Sequence, residues 1–96
     1  MRVIKSMKLR RRYRFSGDVQ GVGFRYRAYH AAGALGLTGY VRNEYDGSVA
    51  MEVQGEKPDM DALIEAIENG RYIRIDRTDF TELPVVPKER SFEIRT

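Results

Sequence analysis

The sequence predicts an α+β fold in which two helices cover one face of an antiparallel sheet. Three observations predict it. Segments whose apolar residues alternate with polar ones, the period of a half-buried strand, are interspersed with segments whose apolar residues recur every three or four positions, the period of a helix. The order is strand, helix, strand, strand, helix, strand, with a short strand added at the end. Turn signals at Gly36, Asp46-Gly47, Gly70, Pro84 and Pro87 fall between these segments.

The first strand is seen in LRRRYRF, where Leu9, Arg11, Tyr13 and Phe15 share one parity and Arg10, Arg12 and Arg14 the other, so the latter arginines are expected on an exposed face. Ser16 and Gly17 are expected to end it. From Phe24 the spacing changes: Phe24, Ala28, Ala31 and Leu35 fall on one helical stripe, and Ala28, Ala31 and Ala32 allow that helix to lie close to a sheet. Gly36 is a left-handed stop. Leu37–Arg42 and Val49–Gln54 form a hairpin about NEYDGS, the second strand carrying Val49, Met51 and Val53 on one side.

The second helix opens near Pro58 and closes at Gly70, with Met60, Leu63, Ile64 and Ile67 inward and Asp61, Glu65 and Glu68 outward. Asp76–Leu83 and Ser91–Arg95 complete the sheet, separated by PVVPKER. This order is the ferredoxin-like split β-α-β arrangement, which hosts many unrelated activities and by itself assigns none.

With 96 residues and 42% hydrophobic content, the chain suits one small core. It has no cysteine, which excludes disulfides, zinc-thiolate sites and thiol catalysis and makes a cytoplasmic location the expectation. No apolar run approaches the roughly 20 residues of a membrane span. The net charge of +3 is unevenly distributed: residues 1–14 hold 7 of the 17 basic residues and no acid, leaving 10 bases against 14 acids in the other 82 residues, a balance of −4. A basic arm over residues 1–12, running into the first strand, is therefore expected, with Met7 an alternative start. Such an arm could contact nucleic acid or a membrane surface, but a solvated leader running into the first strand is the favoured reading.

The segment DVQGVGFRYR poses the chemical question. Gly21 and Gly23 permit a turn whose backbone N–H groups, with those of the helix start, converge on an anion; a tight strand-to-helix turn needs the same glycines. Arg25 stands in the first helical turn, where the helix dipole disfavours a cation by about 0.3–1 kcal/mol. An anion in the turn would offset that cost, and a guanidinium fork suits phosphate, although a solvated arginine is the simpler alternative. On spacing alone Asn43, at the end of the second strand, is a turn residue of the hairpin. His30, the single histidine, lacks partners for a metal site or a catalytic base. An inventory with no thiol and no histidine base favours a substrate whose leaving group needs no general acid, and a carboxylic-phosphoric anhydride releases a carboxylate with a pKa of about 4.

The blocks GDVQGVGFRYR, LGLTGYVRNEYDGSV, VQG and FEIR resemble the signature segments of acylphosphatases, over about Tyr13 to Arg95. The resemblance implies a domain over 13–96 that hydrolyses acyl phosphates to a carboxylate and inorganic phosphate, without metal or cofactor. It further implies that Val19, Gln20, Gly21 and Val22 cradle the phosphate, that Arg25 binds it, and that Asn43 orients the attacking water. The implied partners are a small acyl phosphate and product phosphate, with neither membrane nor nucleic acid, for a monomer. Tyr40 stands where the family often has tryptophan. The stretch IENGRYIRIDRTDFTELPVVPKERSFEIR departs further, lacking the family's common Gly-Pro after the second helix and the glycine often found before FEIR. The alternative is a non-enzymatic ferredoxin-like module binding RNA or a protein, but VAMEV on the third strand lacks the aromatics of an RNA-recognition motif.

Overall fold

A computed structural model describes residues 7–96. Its elements follow the expected order: β1 (Lys8–Asp18), α1 (Phe24–Ala34), β2 (Thr38–Asn43), β3 (Val49–Glu56), α2 (Lys57–Glu68), β4 (Arg74–Leu83) and β5 (Phe92–Arg95). The sheet order is β4-β1-β3-β2-β5. The first four strands pair antiparallel, but β5 lies parallel to β2, so the sheet is mixed and not wholly antiparallel as expected. The cause is topological: β5 returns from β4 across the open face of the sheet and reaches the far edge running in the direction of β2.

Alternation along β1 sends Tyr13 and Phe15 into the core, where they meet Met51 and Val53 of β3, Val41 of β2 and the inner faces of both helices. In α2 the expected stripe holds, with Met60, Leu63 and Ile67 fully buried. In α1 the buried stripe is Phe24, Ala28 and Ala32, while Ala31 and Leu35 are half-buried. Small residues on this side let α1 approach the sheet closely. Phe24, the first residue of α1, packs on Phe15 with ring centroids 5.2 Å apart, a contact that pins the helix start to β1.

β1 runs past its expected end to Asp18, with a register shift at Ser16/Gly17 that keeps it paired to β4. Of the expected basic arm, residues 1–6 lie outside the described residues, whereas Lys8 to Arg12 belong to β1. Arg10 corrects the expectation of exposed arginines. It is 5% exposed, because the β4–β5 connection folds over the open face and supplies Glu89, which accepts bonds of 2.8 and 3.2 Å from the two Arg10 Nη atoms. Glu52 accepts from Arg10 Nε at 3.0 Å and from the Tyr40 hydroxyl at 2.6 Å. Gln54 clamps the same connection, donating to the Val86 carbonyl at 2.9 Å and accepting from its N–H at 2.8 Å.

Burial opposes ionisation of Glu52 and Glu89. Hydrogen bonds outweigh it, from Tyr40 and Arg10 at Glu52 and chiefly from Arg10 at Glu89, and hold both carboxyls below their ordinary range.

Candidate active site

The chain leaves β1 at Asp18 and reaches α1 through five residues. Val19 is buried and Val22 packs against the core, so these two side chains turn inward. Gly21 and Gly23 have φ of 71° and 84°, values that side chains with a Cβ rarely adopt. Gly23 caps α1 without any side-chain hydrogen bond, and the first turn of the helix contains no acid. Among the described residues, the backbone N–H groups of Gly21 through Tyr26 donate to no protein oxygen; the first such bond is Arg27 N–H to the Gly23 carbonyl, 3.0 Å. A helix start normally satisfies part of this set with an N-cap side chain. Here the donors remain available.

A cavity of about 210 Å³ opens beside this loop, lined by Gly21, Gly23, Arg25, Tyr26, Asn43 and Ile94 with Val19 and Phe24 behind them. Arg25 is the one charged residue among them. Its guanidinium is anchored by β5, Nη1 donating to the Arg95 carbonyl at 3.4 Å. Asn43 enters from the end of β2, opposite Val49 in the hairpin register. The turn reading of Asn43 is not what the hairpin uses. Its side-chain bonds come from Asp46, whose Oδ1 accepts from the Ser48 N–H at 3.0 Å and from the Ser48 hydroxyl at 2.5 Å. Those bonds, led by the hydroxyl, hold the Asp46 carboxyl below its ordinary range. The Asn43 side chain makes no such bond among the described residues and is half-buried at the cavity.

Of the residues expected at the site, Val19, Gly21, Arg25 and Asn43 line one cavity, although 24 positions separate Val19 from Asn43. Gln20 and Val22 do not line it. The Gln20 side chain instead spans to the hairpin, its Nε2 donating to the carbonyls of Glu44 at 2.8 Å and Ser48 at 2.9 Å. Sequence reasoning missed that bridge, and it missed Ile94 and the Arg95 carbonyl. A β5 contribution depends on the parallel pairing with β2, and no local spacing encodes that pairing.

The acylphosphatase family model matches residues 11–94. The acylphosphatase of Caldanaerobacter subterraneus subsp. tengcongensis is 40% identical over 82 residues, covering 84% of this chain and 91% of that protein. That of Oceanobacillus iheyensis is 41% identical over 81 residues, covering 82% and 89%. The crystal structure of acylphosphatase from Bacillus subtilis superposes with a TM-score of 0.83 at 31% identity, covering 92% of this chain and 99% of the other. A chain matched along nearly its whole described length, in sequence and in fold, by proteins of one enzyme family belongs to the acylphosphatase family.

Proposed function

We propose that the cavity between the Val19–Gly23 loop and Asn43 hydrolyses acyl phosphates to a carboxylate and inorganic phosphate without a metal ion. In this reading the backbone N–H groups of the loop and helix start, with the Arg25 guanidinium, bind the three phosphoryl oxygens. Asn43 fixes a water in line with the acyl–oxygen leaving group. In a loose phosphoryl-transfer transition state the work is mainly positioning and charge stabilisation, which fixed amide donors and a guanidinium supply. The departing carboxylate is a weak base and needs no proton.

The observation that carries this reading is the convergence of N–H donors without protein partners, the cavity's one charged side chain, and an asparagine free of turn duties on a single cavity. Metal independence is supported by composition, a chain with no cysteine and one histidine, and by the suitability of Arg25 for the charge. No group of three or more His, Cys, Asp or Glu side chains that would hold a metal occurs among the described residues. No helix there is long and apolar enough to cross a membrane; a cytoplasmic monomer is part of the proposal.

The test is hydrolysis of acetyl phosphate against a phosphomonoester, before and after exhaustive chelation, with inorganic phosphate titrated as inhibitor. The expected result is turnover of the anhydride alone, unchanged by chelation and inhibited competitively by phosphate. Activity that is lost on chelation and restored by metal overturns the mechanism. Purely noncompetitive inhibition places phosphate elsewhere.

A further inference from the structure

Eight of the twelve arginines in residues 7–96 lie within 3.6 Å of a carboxylate. The others, Arg25, Arg27, Arg71 and Arg90, have no acidic partner among the described residues, and each lines a cavity with no acid in its wall. Arg25 belongs to the phosphoryl site proposed above. Arg27 and Arg71 share a larger groove, about 630 Å³, between α1 and the turn that follows α2. Two cations facing one concave, acid-free surface repel each other, and an anion held between them removes that cost.

We propose that this groove is a second anion site, separate from the phosphoryl cavity, and that it takes a phosphomonoester carrying a flat ring, of the nucleoside monophosphate class. Its volume is within the range of small-molecule sites, about 300–1,000 Å³, and far exceeds the needs of a bare ion. Two guanidiniums match the charge of about −1.5 to −2 that a phosphomonoester carries near neutrality, and each presents a donor fork suited to its oxygens. A monocarboxylate would leave one guanidinium unpaired. Asn43, assigned to the attacking water, does not line this groove, so the ligand is held there and not hydrolysed.

The donors and the ring surface are both in place. Arg27 Nε donates to the Ala66 carbonyl at 2.5 Å, which fixes the guanidinium between the helices and leaves its Nη groups without a protein acceptor among the described residues. Gly70 makes room for the Arg27 stem, since a Cβ there would stand 3.0 Å from Arg27 Cδ. Val22, Ala31 and Ile73 form apolar walls. Tyr26 and Tyr72 line the same groove with their side chains 65% and 69% exposed, and Arg71 Cζ lies 5.7 Å from the Tyr72 ring centroid. A flat ring laid against these tyrosines buries apolar surface that the protein otherwise leaves in water, while its phosphate reaches the two guanidiniums.

The experiment measures AMP binding by calorimetry in the wild type, Arg71→Glu, Tyr72→Ala and Arg25→Ala, with adenosine, ribose 5-phosphate and benzoate as comparison ligands and a melting curve for each variant. AMP should bind more tightly than the ligand without a phosphate, the ligand without a ring and the ligand with a single charge. Arg71→Glu should weaken AMP by about tenfold or more and Tyr72→Ala by about fivefold or more, both side chains being exposed so that the fold is kept. Arg25→Ala, which removes the cation of the phosphoryl cavity, should leave AMP affinity unchanged. No binding at millimolar AMP, or an affinity unchanged in both groove variants, overturns the site. Binding lost in Arg25→Ala assigns the nucleotide to the phosphoryl cavity instead, and benzoate bound as tightly as AMP removes the phosphomonoester from the groove.

Discussion

Gln20 donates its side-chain amide to the backbone carbonyl of Ser48 at 2.9 Å, and the same nitrogen reaches the Glu44 carbonyl at 2.8 Å. One side chain of the loop thereby sets the distance to the hairpin that carries Asn43. Both acceptors are carbonyls, so only a donor fits between them. Gln20→Glu, nearly identical in shape, presents carboxylate oxygens to two carbonyl oxygens and should fail at least as badly as Gln20→Ala. Loss of about 1–3 kcal/mol of positioning should appear as a fall of roughly tenfold or more in phosphate affinity, measured by calorimetry, together with reduced turnover. Phosphate affinity at the wild-type level in Gln20→Glu would separate the bridge from the site.

The clamp on the open face should make stability depend on acid. Glu52 and Glu89 ionise more readily in the folded protein than in the unfolded chain, through their bonds to Tyr40 and Arg10. A carboxylate with a lowered folded-state pKa contributes its full stabilisation above its unfolded value, and loses it as pH falls through the folded value. Wild-type melting temperature should therefore hold from neutral pH down to the ordinary carboxylate range and drop below it. Glu89→Gln, which weakens the paired contact with Arg10, should cost about 2 kcal/mol near neutrality and show a shallower acid loss. Parallel acid profiles for wild type and variant, followed by thermal melts from pH 7 to pH 3, would assign the acid sensitivity to other carboxylates.

The fold was legible wherever one element's periodicity decided it. Met60, Leu63 and Ile67 of α2, and Tyr13 and Phe15 of β1, are buried as their spacing requires. What stayed hidden depends on contacts distant in sequence. Arg10 was expected in solvent because its parity opposes Tyr13, and Glu89, 79 residues away, covers it. The parallel edge strand β5 was hidden for the same reason. At the site, Gly21, Gly23 and Arg25 suggested an anion at a helix start, because a cation there conflicts with the dipole, and the structure brings all three to one cavity. Asn43 was not readable from spacing, since its hairpin position suits a turn residue equally well; the side-chain bonds of Asp46 and Ser48 occupy that duty instead. The motif resemblance, not periodicity, brought Asn43 to the site.

Arg25→Lys should impair both binding and turnover. On the proposed mechanism the guanidinium, with one nitrogen donating to the Arg95 carbonyl, offers its remaining donors to two phosphoryl oxygens at once. Lysine keeps the charge but presents a point donor on a flexible stem and cannot reproduce the planar pair of contacts. Phosphate affinity by calorimetry and turnover of acetyl phosphate should fall together. An Arg25→Lys enzyme with unchanged phosphate affinity would remove the guanidinium from the phosphate.

Asn43→Ala should divide these two quantities. The asparagine lies at the end of β2, across the cavity from the loop, and on the proposed mechanism it touches only the attacking water. Phosphate affinity should then stay close to wild type, because every donor assigned to the phosphoryl oxygens is still present. Turnover should drop by about 100-fold or more, the scale of removing one preorganised hydrogen-bonding group from a transition state. The hairpin should survive the change, since Asp46 and Ser48 make its side-chain bonds, and a melting curve near wild type would establish that. Asn43→Asp gives a sharper contrast: a carboxylate next to the bound phosphoryl group repels it, so affinity and turnover should both decline. A folded Asn43→Ala enzyme with nearly full activity would return Asn43 to the hairpin turn and leave the water to be positioned by other groups.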